Sequence, residues 1–235
     1  MAETSTTVSQ AELLQTLQTR FGHADFRPGQ AIAIGAGQRE LNHMGAMALD
    51  MLAQSREALL DLDMEKAHEV VRLEREVLDP LCDSIEGFIN SVIAEDLAEQ
   101  ERQQCFRTRN VNVAPERVGD HAENLAEAAQ DRFNHGVPFS DLARQDLENA
   151  FDHVQATLSS ALQALIGDDR ALAEQVRLME DEMDRINLTS RERHMARIQD
   201  GDCDPEASLI FVEALRNLER ISDHADNLAD RVLDR

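Results

Sequence analysis

The chain has 235 residues, with 46 Asp and Glu against 23 Lys and Arg, a formal net charge of −23. A field of that sign repels nucleic acid unless a basic patch is segregated, and the sequence holds no such patch. Trp and Tyr are absent and Ala, Leu, Glu, Arg, Gln and Asp dominate, which predicts an all-α protein of one large or two small domains.

Residues 1–29 are polar and irregular and read as an arm. From Gln30 a helical pattern runs through Leu41, Met44, Met47, Met51 and Leu52 to Leu59, and stops at the acidic turn Asp61 to Asp63. A second helix carries Leu73, Val77, Leu81, Ile85 and Val92, spaced mostly by four. The third should start near Asp96. Pro115 lies inside it, without an N–H for the ladder and set to clash with the carbonyl of Val111, so a bend or break is expected between Arg109 and Glu116. Asn134 to Phe139 is a Gly/Pro linker, and Ser140 can cap a fourth helix that ends at Gly167. The fifth presents Leu172, Val176, Met179, Met183 and Ile186 on one face, and Asp204 followed by Pro205 opens a sixth that closes the chain.

The most informative feature is a repeat. ERVGDHAENLAE, from Glu116 to Glu127, returns as ERISDHADNLAD, from Glu219 to Asp230. At helical pitch each copy has an apolar stripe: Val118, Ala122, Leu125 and Ala129 in the first, Ile221, Ala225, Leu228 and Val232 in the second. Each also has an acidic or amide stripe, made by Glu116, Asp120, Asn124 and Glu127, and by Glu219, Asp223, Asn227 and Asp230. Like charges at i and i+4 cost an isolated helix about 0.2–0.5 kcal/mol per pair, so a duplicated carboxylate ladder calls for a compensating cation.

A gap-free shift of 105 residues pairs Glu69 with Glu174, Arg72 with Arg177 and Asp79 with Asp184, whereas the motifs are offset by 103. The whole region therefore divides into two tandem pseudo-symmetric three-helix bundles, residues 30–137 and 138–235. Glu-x-x-x-Asp places two carboxylates within about 5–6 Å at their Cβ atoms, and the helix before it is the natural donor of a further acid. The candidate metal ligands are thus Glu116, Asp120 and Asp79 in repeat 1, and Glu219, Asp223 and Asp184 in repeat 2. All-oxygen ligation suits Mg²⁺, Ca²⁺, Mn²⁺ or iron. His121 and His224 follow the acids by one position, point about 100° away, and read as flanking residues. A solvated acidic face is the plain alternative, and the matching Arg, His and Asn in both copies weigh against it.

Cys82, Cys105 and Cys203 are far apart with no ligand spacing, which favours a reduced setting over a disulfide framework. No apolar stretch approaches about 18 residues and the N-terminus lacks a signal-peptide pattern, so a soluble chain is expected. Phosphate-binding loops, nucleophile elbows and zinc-protease motifs are missing.

The paired motifs resemble the signature of the PhoU family, proteins of two three-helix repeats, over roughly residues 30–235. The DHAxNLA form and the stretch QRELNHM, Gln38 to Met44, look most like the soluble C-terminal domain of sodium-dependent phosphate cotransporters within that family. The resemblance implies a multinuclear metal cluster of iron, manganese, magnesium or zinc on the Glu-x-x-x-Asp motifs. It also implies a non-enzymatic regulator of phosphate transport and phosphate homeostasis, acting on a phosphate transporter or phosphate-sensing kinase at the cytoplasmic membrane face. Peripheral membrane association and a homodimer fit the same picture. Pro115 departs from the family pattern, so site 2 is expected to bind metal more tightly than site 1. Separately, LLQTLQTRFGHADFRPGQ, Leu13 to Gln30, resembles the adenine-reading segment of RecQ-type helicases, but no phosphate-binding loop follows, so it reads as an arm or fusion relic. The rival readings are a carboxylate-bridged metalloenzyme and a metal-free helical adaptor.

Overall fold

The computed structural model describes residues 26–94, 99–201 and 203–234, with side chains from residue 39 onward apart from those of 100, 101 and 104. The RecQ-like stretch up to residue 25 and the expected helix start at Asp96 lie outside the described residues. Every regular element among the described residues is helical: α1 (Phe26–Asp61), α2 (Met64–Leu73), a π-helical segment (Glu74–Leu78), α3 (Asp79–Ile93), α4 (Glu99–His135), α5 (Asp141–Gly167), α6 (Arg170–Gln199) and α7 (Pro205–Leu233). Helix α1 begins four residues ahead of the expected Gln30, so Phe26 to Gly29 belong to the helix and not to the arm.

The breaks between helices follow local chemistry. Leu62 takes a left-handed φ of 59°, and the Asp63 side chain accepts from the N–H groups of Glu65 and Lys66 to start α2. Gly136 takes a φ of 65° past the end of α4, where its N–H bonds Phe133 and that of Val137 bonds Arg132. Ser140, Asp169 and Asp204 cap α5, α6 and α7 with their side-chain oxygens.

Helices α2 and α3 are one rod with a widened turn between them, which the apolar spacing did not foretell. The Asp79 N–H reaches back five residues to Glu74 O. Pro80 follows at once and cannot donate to the ladder, so the extra residue sits where an α-helical hydrogen bond is lost in any case. Both Glu74 and Leu78 turn inward from this segment.

Pro115 does not break α4, which is helical from Glu99 to His135; the expected break is corrected. Tertiary packing overrides the local penalty. Pro115 is buried, and the adjacent Asn112 is pinned by its side-chain amide to Cys82 O at 3.0 Å. The helix therefore runs unbroken into site 1.

Helices α1, α2, α3 and α4 pack together, as do α5, α6 and α7, and the two sets meet where α4 lies along α7 and α1 along α5. A single apolar core runs through both. The anticipated stripes are sealed within it, from Val118 to Ala129 on α4 and from Ile221 to Val232 on α7. Close approach of α1 to α5 needs Gly45, where a Cβ would stand 2.5 Å from Leu162 Cδ2.

Two arginines cap the last carbonyls of α1, one from its own half and one from the other. Arg132, from the end of α4, donates Nη1 to Leu59 O at 2.5 Å and Nε to Val137 O at 3.0 Å, and its guanidinium lies 4.2 Å from the Phe139 ring centroid. Arg144, from the start of α5, bonds Leu60 O and Asp61. Arg132 is buried, so truncation strands carbonyls without partners. Arg132→Ala is expected to lower unfolding free energy by about 3 kcal/mol. Urea denaturation should show this as a lower midpoint at unchanged slope; a shift under about 0.5 kcal/mol would mean the cap is dispensable.

Candidate metal centre

On α4, burial of the Val118 to Ala129 stripe leaves Glu116 and Glu123 half-buried beside α2 and α3, with Asp120 more open. Asn124 and Glu127, the later members of the expected acidic stripe, face solvent. The inward line therefore runs Glu116, Asp120, Glu123, at steps of four and three. Arg117 pairs with Asp120 at 3.1 Å and Glu116 at 3.6 Å, while Arg75 holds Glu123 at 2.5 Å and Glu127 at 2.8 Å.

Facing this line is Glu74, which continues the buried face of Ala67 and Val70 into the π segment. It is 3 % exposed, and neither carboxyl oxygen has a hydrogen-bond partner. Its carboxyl occupies space that exists because residue 119 is glycine: a Cβ there would fall 2.1 Å from Glu74 Oε2 and 2.4 Å from Leu78 Cδ2. Burial, then the charges of Asp120, Glu123, Glu116 and Asp79, push Glu74 up to about 8. Burial and then Asp120 likewise raise Glu116, against the pull of Arg117.

Repeat 2 repeats the arrangement with different details. Burial first, followed by Asp184, Asp226, Asp223 and Asp181, pushes Glu180 of α6 up to about 7. Asp226, the counterpart of Glu123, is raised by burial and Asp230, and its Oδ1 is buried without a partner. Arg220 pairs with Asp223 at 3.1 Å and Arg177 with Asp230 at 3.8 Å. Ser222 stands where repeat 1 has Gly119, and its hydroxyl is buried and unpartnered.

Of the expected ligands, Asp79, Glu116 and Asp120 all add to the negative charge around Glu74, and Asp184 and Asp223 to that around Glu180; Glu219 lies one turn before Asp223 and is part-buried. It adds Glu74, Glu123, Glu180 and Asp226. Glu123 and Asp226 were readable as the i+7 members of each motif, and Glu74 lies four residues beyond the buried Val70 and four before the buried Leu78, on the inward face at ordinary helical spacing. In chemistry the donors fit a hard cation: all are oxygen, several are buried, and three orphaned oxygens, two on Glu74 and one on Asp226, await a partner. As the side chains stand, no group of three or more His, Cys, Asp or Glu among the described residues is placed to hold a metal ion.

The motif histidines lie between the repeats. The His121 and His224 rings stack with centroids 5.6 Å apart at 24°, and His121 Nδ1 lies 2.9 Å from Asn217 Oδ1, which also accepts from Asn124. Burial, then His121, hold His224 below its ordinary value.

A family model described as the PhoU domain matches residues 41–129 and 147–232. The chain belongs to the PhoU family. A PhoU homologue of Methanothermobacter thermautotrophicus, named a phosphate-specific transport system accessory protein, is 27 % identical over 176 residues, covering 74 % of this chain and 79 % of its own. One of Thermotoga maritima is 29 % identical over 118 residues, half the length of each chain. PhoU from Pseudomonas aeruginosa shares the fold, with a TM-score of 0.80 at 22 % identity over 89 % of this chain and 97 % of that one. PhoU from Streptococcus pneumoniae does so with a TM-score of 0.77 at 15 % identity, covering 87 % and 95 %. As in this PhoU-family chain, two tandem helical bundles make up the fold, and no helix among the described residues is long and apolar enough to cross a membrane.

Glu74 has a consequence for pH. Below its ordinary 4.5 it is protonated folded and unfolded alike; between 4.5 and about 8 the unfolded chain releases the proton that the folded chain keeps. Stability therefore falls as pH rises through that window and the full cost is reached above it. In chelator-treated protein, Glu74→Gln should flatten the decline of melting temperature between those limits. A decline of the same steepness in the variant would show that Glu74 is not its source.

Proposed function

We propose that this protein is a non-enzymatic regulator of phosphate transport and phosphate homeostasis that binds a metal cluster on each repeat and contacts a phosphate transporter component or a phosphate-sensing kinase at the cytoplasmic membrane face. The observation that carries the metal reading is Glu74, a carboxyl buried among four other acids with both oxygens unpartnered. A cation relieves repulsion and desolvation together, which no solvated acidic face requires.

In repeat 1 the ligands would come from Asp79, Glu116 and Asp120, joined by Glu74 and Glu123; in repeat 2 from Asp184, Glu219 and Asp223, joined by Glu180 and Asp226. When bound, iron, manganese, magnesium or zinc would supply concentrated positive charge that fixes these side chains. The chain's own part is to hold the acids in place. Arg117, Arg75 and Arg220 each pair with an acid of the set and orient it. Oxygen ligands converge only after some carboxylates rotate, so metal binding should stiffen α3 against α4 and α6 against α7. The net charge of −23 favours basic segments on the partner, and the accessory-protein names of the relatives support a transport system as that partner.

Elemental analysis tests the metal, and phosphate uptake by cells tests the role. Glu116→Gln with Asp120→Asn, and Glu219→Gln with Asp223→Asn, should each remove about half of the bound metal and of the metal-induced rise in melting temperature. Equal metal content in wild type and both double variants would leave a solvated acidic face as the better account. Cells lacking the protein should take up phosphate without restraint, and unchanged uptake would remove the regulatory reading.

A further inference from the structure

The turn between α6 and α7 gathers a separate set of reactive side chains. Cys203 is partly exposed and directly precedes the α7 cap Asp204. Its Sγ lies 3.8 Å from Nδ1 of His194, which reaches it from the end of α6 and is 2 % exposed. The imidazole packs against Phe211 with centroids 4.5 Å apart, and the Arg197 guanidinium lies 5.4 Å from the same ring centroid. Arg197 and Arg193 share one carboxylate, that of Asp146, at 2.9 and 3.0 Å. Two cations thus share one anion at the end of α6, while the carboxylates of Asp200 and Asp204 lie in the turn that carries Cys203. Three buried nitrogens in this corner have no hydrogen-bond partner: Nε2 of His194, and Nε and Nη2 of Arg197. Buried donors left unmade are costly, and together they point to an oxygen-bearing anion as the group the corner lacks.

We propose that Cys203 is a peroxide-reactive thiol, with the adjacent His194 accepting its proton as the sulfur attacks. Burial, then Arg197, hold His194 below its ordinary value, which leaves its imidazole neutral and able to take the proton. Cys203 S–H gives that proton to Nδ1, and the sulfur electron pair attacks one oxygen of hydrogen peroxide. The S–O bond forms as the O–O bond breaks. The departing hydroxide takes the imidazolium proton and leaves as water, so sulfur is oxidised by two electrons to a sulfenic acid and the peroxide is reduced. The new oxygen stands at the N-terminal end of α7, where negative charge is favoured. Its position joins the redox state of one thiol to the start of the helix that carries the second acidic motif.

The other two cysteines are internal references. Both are buried, and burial followed by the charge of Glu116 pushes the Cys82 thiol up to about 12. The intact chain is treated at neutral pH with hydrogen peroxide in the presence of dimedone, and adducts are located by peptide mass spectrometry. Because exposure alone favours Cys203 over its buried neighbours, the deciding comparison is with N-acetylcysteine under the same conditions. Cys203 is expected to react at least about tenfold faster than that free thiol, and His194→Asn to bring it down to the free-thiol rate. A wild-type rate no higher than that of N-acetylcysteine overturns the proposal, as does an undiminished rate in a folded His194→Asn protein. If that variant does not fold, the wild-type comparison decides alone.

Discussion

Burial of the apolar stripes on α4 and α7 governs the rest of the molecule. Sealing a Val, Leu or Ile side chain contributes about 1.5–3 kcal/mol, whereas each like-charged pair along a helix costs about 0.2–0.5 kcal/mol. Val118, Leu125, Ile221 and Leu228 are all fully buried, so packing wins and dictates which way the opposite faces look. The carboxylates must then crowd wherever that geometry places them, beside α3 in one half and α6 in the other. Their repulsion is tolerated rather than avoided, and a protein that tolerates it twice has kept the acids for a purpose other than stability.

The helices, their caps and the duplication were legible because they rest on short-range rules: Ser140 and Asp204 bond N–H groups two or three residues away, and the stripes repeat at helical pitch. Three features were not. Pro115 was weighed as an isolated helix would weigh it, while the fold buries it and pins its neighbour Asn112 to α3. Glu74 shares the buried face with Val70 and Leu78 at helical spacing, but a lone acid among them does not announce that Asp120, Glu123 and Glu116 face it from α4. His121 and His224 were legible as a pair by position, yet that they stack on one another depends on how α4 crosses α7, and a contact between residues 103 apart is written in no local pattern.

Duplication has not produced two equal halves. Gly119 admits the Glu74 carboxyl, where repeat 2 has the buried hydroxyl of Ser222, and the partner acid there is Glu180. Glu74 is held up to about 8 and Glu180 to about 7, so the halves resist ionisation to different degrees. The shared His seam and common core nonetheless make the repeats one packed body at α4 and α7.

The widened turn at Glu74–Leu78 makes the helical rod between Asp63 and Pro80 a counted length. A surface loop absorbs the gain or loss of a residue at little cost. Here the wide turn can give up a residue: a deletion within Glu74–Leu78 restores an even ladder and keeps both flanking faces, whereas one in the regular turns of α2 or α3 rotates what lies ahead of it by about 100° relative to what lies behind. A deletion of the second kind misaligns the buried faces of α2 and α3, although no acid would be altered.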